Sequence, residues 1–444
     1  MKAKLYDVEI GEIILVNGVP HFIFSQEYFD SHLNINPILF PKEKYCLFAG
    51  KPISFRNLSE TFYGLPGFIA DCLPDKFGND LVVEWLKLQN RAPSSLNIIE
   101  RLSYVGNRAI GAIEFEPSQE ERDIGNIDIP SIFDIVELVL SKKTSLNEQM
   151  EENKISRHNV EQIISIGTSA GGARAKAIIA IDKNNKVISG TNNTNPEFTN
   201  YLIKFDSALN SDKEEKDGSG HTNVEFAYYN MSKDCGINMS ECHLLKQDKM
   251  YHFLTKRFDR YVEDGQVKKL HMITLCGILH KDFNVPRCVD YKDVFDVIDK
   301  IVPPEYVKQD KEEMFKRLVF NIFARNQDDH TKNTAFTLDA RGTWRLSPFY
   351  DVTFAFNPNG QWTSKHQMSV LSYSDNKEIT NNVLLELGKQ VGLDKQFCLS
   401  QIKLTENVLK NARKYFLDAH VGQDRIDKMM KYLRVNFNKN TLKP

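Results

Sequence analysis

The stretch Asn326-Gln-Asp-Asp-His-Thr-Lys-Asn333 decides how this chain is read. It follows closely on the apolar run Leu318–Phe323, and a block of eight consecutive polar side chains makes poor core and poor helix. A loop of this kind, leaving a helix, can hold a metal ion or polarise a hydroxyl. The bland alternative is a helix cap or a surface turn. Asp328 and Asn333 stand five residues apart. That spacing recurs often by chance, so the rest of the chain has to decide.

Asp-x-x-x-x-Asn is the spacing of the protein-kinase catalytic loop, where the Asp accepts a hydroxyl proton and the Asn oxygen takes Mg²⁺. Downstream, Trp344-Arg-Leu-Ser-Pro-Phe-Tyr-Asp351 ends an apolar strand at an acidic residue, which suits a second hard-oxygen metal ligand. Upstream, Tyr201-Leu-Ile-Lys204-Phe places a lysine inside an apolar strand. A buried ammonium needs anionic company. Glu225, opening the helical run Val224–Met231, is the candidate partner; the alternative is that Lys204 snorkels from an edge strand.

Gly167-Thr-Ser-Ala-Gly-Gly-Ala-Arg-Ala-Lys176 precedes the β-like run Ala177–Ile181. Small residues let backbone amides approach an anion closely. The segment fails the Walker A pattern, because Ala173 rather than Lys follows Gly172, and it fails G-x-G-x-x-G as well. A flexible glycine turn is its simpler reading. Taken in order, the glycine loop, strand lysine, helix glutamate, polar loop and strand-end aspartate follow the order of parts in a kinase.

Composition sets the frame. The chain has 444 residues, 57 Lys+Arg against 59 Asp+Glu, 41% hydrophobic and 26% charged residues. That is an ordinary globular balance with chain enough for two or three domains, and a net charge of −2 argues against a surface built wholly for nucleic acid. Seven cysteines, an odd number with no C-x-x-C pair, speak against zinc ribbons and a disulfide scaffold. His330 has no second histidine or cysteine at metal spacing, which favours a hydrogen bond within its loop over zinc. The start Met-Lys-Ala-Lys-Leu-Tyr-Asp lacks an apolar signal core and no segment is long enough to span a bilayer, so the expected compartment is cytoplasmic.

Along the chain, Asn17-Gly18 between apolar runs signals a hairpin. Helical spacing runs from Ile69 to Leu88 with a turn at Asp75–Asn79, Ala109–Phe115 alternates as a strand would, and Ile129–Leu140 is apolar at helical spacing with Pro130 in its first turn. Residues 118–125 and 142–161 are candidate connectors, and 211–220 is an expected mobile loop. Beyond 220 the pattern is mostly helical, with one β-like island from Thr334 to Pro348 turning at 339–342. The tail from Lys403 carries ten Lys/Arg against four Asp/Glu, which fits a solvated helix face better than a DNA-binding one.

Assembled, these pieces resemble the HipA-type serine/threonine kinases, the toxin halves of bacterial toxin–antitoxin modules. Residues 65–79 and 105–112 resemble that family's N-terminal subdomain; Ser169–Lys176, Arg257-Phe-Asp-Arg260, the Asp328–Asn333 loop and Pro348–Asp351 resemble its kinase core. The resemblance implies an α+β, bilobal protein-kinase-like fold with an added β-rich N-terminal subdomain and a mainly helical C-lobe. The divisions expected are 1–120 for the N-terminal subdomain, 121–160 for a helix and linker, 161–265 for the ATP-binding N-lobe, and 266–444 for the C-lobe. It also implies ATP and Mg²⁺ as cosubstrates, a protein substrate (an aminoacyl-tRNA synthetase in the family), and a HipB-like helix-turn-helix antitoxin through which DNA is met only indirectly.

Family roles transfer by position. Asp328 would be the catalytic base, Asn333 and Asp351 would hold metal, and Lys204 would contact phosphates. Ser169, Ala170, Gly171, Gly172, Lys176, Glu225, Lys256, Phe258, Asp259, His330 and Lys332 would complete the nucleotide site, with Asp259 near the ribose. Thr168 and Ser169 are the autophosphorylation candidates, where added charge would disturb a phosphate-cradling loop. Two departures stand out: Ala175 replaces a usual proline, and Leu270-His-Met-Ile-Thr274 replaces a more acidic stretch. The competing readings are a small-molecule phosphotransferase and a non-catalytic, kinase-shaped binding module.

Overall fold

The computed structural model describes residues 1–74, 76–118, 125–141, 150, 156–167, 174–207 and 219–434. Thr168, Ser169, Ala170, Gly171 and Gly172 lie outside these, as do most of the two connectors and of the 211–220 loop. The chain divides into two compact units. The first is Met1–Ser219, Glu241–His280 and Phe336–Trp344; the second is Gly220–Ser240, Lys281–Ala335 and Arg345–Pro444.

Among the described residues the first unit holds two five-stranded sheets. One is ordered β4(Pro52–Ser54), β3(Val19–Phe24), β2(Val8–Val16), β1(Lys2–Leu5), β5(Ile113–Glu116). The β2–β3 hairpin turns at Asn17 and Gly18, whose φ values of 51° and 78° are those of the tight turn that matches strand twist. The other sheet is ordered β7(Val187–Ser189), β6(Lys176–Ile181), β8(Thr199–Lys204), β10(Met250–Lys256), β9(Cys242–Gln247).

Alternation gives that second sheet two distinct faces. Ala177, Ile179, Ile203 and Leu254 face an apolar core supplied by the helices Lys76–Leu88, Ile129–Ser141 and Arg157–Gly167, through Phe77, Leu81, Ile132, Val136, Val160 and Ile163. Lys176, Lys204 and Phe253 belong to the opposite face, because Lys204 is the register partner of both Lys176 and Phe253. Gly167 ends its helix where a Cβ would lie 2.4 Å from Leu81 Cδ1, so any larger residue there would make the Leu81 side chain shift.

The sequence expectation of helix from 220 onward fails between Cys242 and Thr274. That stretch holds β9 and β10, then β11(Arg260–Glu263), β12(Gln266–Lys269) and β13(His271–Thr274). These strands are short and carry His243, Lys246, Lys256 and Gln266 exposed and His252 and His271 buried, which dilutes the apolar alternation. The Asp264-Gly265 turn joining β11 to β12, with φ of 52° and 72°, is their clearest local signal. The expected β island is present as β14(Ala335–Leu338) and β15(Trp344–Leu346). The helical run near Leu88 breaks earlier than expected, into Gly67–Ala70 and Lys76–Leu88.

The second unit is mainly helical. Its 21-residue helix Pro304–Ala324 buries Met314, Phe315, Leu318, Phe320, Ile322 and Phe323. Against it lies His221–Asp234, whose Tyr228 ring meets Phe320 and Phe416 edge-on and tilted, respectively. The helices Tyr291–Ile301, Asn381–Gln390 and Lys395–Lys410 complete the surround. No helix among the described residues is long and apolar enough to cross a membrane.

Candidate active site

The helix Pro304–Ala324 stops at Arg325, whose φ of 59° is left-handed and whose N–H bonds back to Asn321. The polar loop leaves from this cap. Gln327 N–H donates to Ala355 O, and Ala355 N–H to Arg325 O, so the loop's first residues are laced to the chain that follows Asp351.

Asp328 and Asp329 are neighbours with different fates. The Asp328 side chain is 40% exposed; its Oδ1 accepts the indole N–H of Trp362 at 2.5 Å. His330 Nε2 lies 3.9 Å from the same oxygen, while its Nδ1 accepts from Lys332 N–H and caps the short helix Thr331–Asn333. Asn333 donates its side-chain NH₂ to the Asp328 carbonyl oxygen at 2.8 Å. That leaves the amide oxygen as the acceptor end of Asn333, the end a hard cation takes. The Lys332 ammonium sits 4.8 Å from the Phe283 ring centroid.

Asp329, which sequence reasoning missed, is buried and anchors the loop. It accepts from Tyr291 O–H at 2.7 Å, from His366 Nδ1–H at 2.9 Å and from Gln367 N–H at 2.8 Å. Burial and the adjacent Asp329 charge push the Tyr291 hydroxyl well above its usual range, so it stays protonated and donates. Asn376, oriented to satisfy its neighbours, donates to His366 Nε2 and to Ile322 O, which leaves Nδ1 as the protonated nitrogen facing Asp329. Tyr291 itself is fixed by the capping box of its helix, where Asp290 and Asp293 satisfy each other's backbone.

Asp351 is reached from β15. Asp310 accepts from the Arg345 guanidinium at 2.7 Å and from Leu346 N–H at 2.8 Å, and Arg317 donates to Ser347 O at 2.6 Å. Tyr350 O–H then donates to Lys332 O at 2.6 Å. This bond joins the residue before Asp351 to the residue before Asn333. Asp351 has a φ of 55°, a left-handed backbone that a non-glycine residue adopts at some cost. Asp351 and Asn333 offer a carboxylate and an amide oxygen, hard donors of the kind Mg²⁺ takes alongside waters and phosphate oxygens. No cluster of three or more His, Cys, Asp or Glu side chains suited to a metal occurs among the described residues.

The remaining expected residues belong to separate places. In the first unit Lys176 and Lys204 are 5% and 7% exposed on neighbouring strands. β8 lies between β6 and β10, which removes the edge-strand reading of Lys204. The Lys204 ammonium is 5.9 Å from the Phe253 ring centroid. Glu225 is buried on the helix His221–Asp234 of the second unit. Lys256 is exposed at the end of β10, and Phe258 is half-buried.

Asp259 is buried with its carboxylate taken up by Arg257 at 2.9 and 2.6 Å, by Arg260 at 2.8 Å and by Gly111 N–H at 2.7 Å. Burial alone would push this carboxyl up; the two guanidiniums outweigh it and hold it well below the usual range. Arg260 also donates to Gly111 O and Ala109 O. This cluster therefore ties the segment 257–260 to the segment 109–111.

Comparison with known proteins matches two stretches of the chain to family models. Residues 1–116 match the HipA N-terminal domain and residues 168–414 match the HipA-like C-terminal domain. The HipA of a Shewanella oneidensis MR-1 toxin–antitoxin system, solved with HipB and operator DNA, shares the fold at a TM-score of 0.64. Identity is 16%, covering 98% of this chain and 95% of that one. The Helicobacter pylori proinflammatory kinase CtkA aligns at a TM-score of 0.37 and 12% identity over 60% of this chain and 90% of its own, too weak a likeness to carry an argument. The α+β, kinase-like architecture expected from the sequence is thus the architecture present, and the chain belongs to the HipA family.

Proposed function

We propose that this protein is an Mg²⁺-ATP-dependent protein serine/threonine kinase that acts as the growth-inhibiting toxin of a HipBA-like module. The observation that carries the reading is the Tyr350–Lys332 bond, which brings the stem of Asp351 to the stem of the Asp328–Asn333 loop. Asp328 takes the proton of the substrate hydroxyl; its partial exposure leaves it accessible to a protein side chain. Lys176 and Lys204 supply positive charge for phosphates. Asn333 and Asp351 would hold Mg²⁺, which supplies neutralisation of the phosphate charge.

Autophosphorylation at Thr168 or Ser169 and neutralisation by a HipB-like antitoxin belong to the same reading, supported by family membership and by the HipB in the complex of the Shewanella protein. An aminoacyl-tRNA synthetase is the substrate class to try first. Asp259, anchored in its buried arginine cluster, is the residue placed near the ribose in this reading.

Inducible expression in a bacterial host tests the whole. Growth arrest by the wild type, absent for Asp328→Asn and relieved by a co-expressed cognate antitoxin, is expected. Equal arrest by both proteins would contradict a catalytic toxin.

A further inference from the structure

Both aspartates of the loop are bonded to one later segment of the second unit. Asp328 Oδ1 accepts from Trp362, and Asp329 accepts from His366 and from the Gln367 backbone. Gln367 in turn donates its side-chain amide to the Trp362 carbonyl. Residues 362–367 therefore form a bracket held at one end by the buried Asp329 and reaching Asp328 at the other.

The chemistry of this contact has one direction. An indole N–H only donates, so Asp328 accepts. A misplaced base is costly to a proton transfer, so each bond that fixes the carboxylate's orientation matters. The indole is rigid, with two side-chain torsions, and its ring stands 6.4 Å from that of His330.

We propose that Trp362 is a positioning residue, whose indole N–H holds Asp328 Oδ1 and so presents the carboxylate to the substrate hydroxyl in one orientation. This rests on the reading of Asp328 as general base. In the step it serves, the substrate O–H bond breaks and its proton passes to the carboxylate. The oxygen's electron pair forms a bond to the γ-phosphorus of ATP as the bond from that phosphorus to ADP breaks.

The test is a double-mutant cycle on the full-length protein with Mg²⁺-ATP. Trp362→Phe is expected to lower kcat by at least about ten-fold, with KM for ATP within about two-fold and an unchanged melting temperature. In an Asp328→Asn background the same change is expected to leave the residual rate where it was, as for two residues acting as a unit. Alongside, ¹⁵N-tryptophan labelling follows the indole resonance that Trp362→Phe removes; Asp328→Ala is expected to shift it. A Trp362→Phe protein with wild-type kcat, or one slowed by the same factor in both backgrounds, would overturn the proposal. So would an indole resonance that Asp328→Ala leaves unmoved. Absence of transfer by the wild type would overturn the general-base reading and this proposal with it; a shifted indole resonance would then show that the bond is real and the base assignment wrong.

Discussion

Lys176 and Lys204 stand directly opposite each other on adjacent antiparallel strands, both buried and on the sheet face turned away from the apolar core. Like charges directly opposite across a strand pair repel, and in a buried position they need anions. In the proposed function, phosphates share in offsetting that charge. Lys204→Met or Lys176→Met is expected to weaken Mg²⁺-ATP binding at least about ten-fold, a loss of about 1.4 kcal/mol. Isothermal titration checks it; unchanged affinity in both variants would remove the lysines from the nucleotide site.

The contrast between Asp328 and Asp329 gives a second expectation. Asp329→Asn loses a carboxylate that satisfies three buried donors and is expected to cost about 2–4 kcal/mol. Asp328→Asn, at a half-exposed position, is expected to change stability by no more than about 0.5 kcal/mol. Urea denaturation followed through the second unit decides between them; equal losses would mean that both residues are structural.

Asp351 offers a third. At φ 55° a glycine is unstrained. Asp351→Gly is expected to hold or raise the melting temperature while abolishing phosphoryl transfer, whereas Asp351→Val is expected to destabilise by about 1–3 kcal/mol. Retained transfer in the glycine variant would remove Asp351 from the metal site.

The first unit carries a pH dependence that its buried histidines dictate. His252 Nδ1 accepts from Asp206 N–H, and its Nε2–H faces Gln247, so the ring is neutral; burial holds it down to about 4. His280, accepting from Gly67 N–H, is likewise lowered by burial to about 4, and His271 to about 3. In the unfolded chain these groups take up protons near about 6.5. The unfolded state thus binds more protons in the window between, and stability, full above about 6.5, is lost as pH falls toward 4. Each histidine contributes a slope of about 1.4 kcal/mol per pH unit there. His252→Gln is expected to reduce the acid sensitivity of urea midpoints by one histidine's share, and an unchanged slope would refute the assignment.

Much of this was legible in the sequence for physical reasons. Asn17-Gly18 specifies its turn because both residues tolerate positive φ, and the density of polar side chains at 326–333 leaves that stretch nowhere to go but a loop at a helix end. What sequence could not separate was Asp328 from Asp329. Two adjacent carboxylates look alike until burial and the partners Tyr291, His366 and Gln367, remote in sequence, distinguish them. Trp362, 34 residues beyond Asp328, was silent for the same reason. Asp259 was legible as important; its arginine partners at 257 and 260 and the amide of Gly111 gave it a structural task that the local motif alone did not reveal.

Intact-mass spectrometry of the purified protein with Mg²⁺-ATP, wild type beside Asp328→Asn at matched stability, tests the central claim most directly. The account predicts phosphate gain in the wild type and none in the variant. Equal gain in both, or none in either at an ATP concentration that saturates binding, would contradict it.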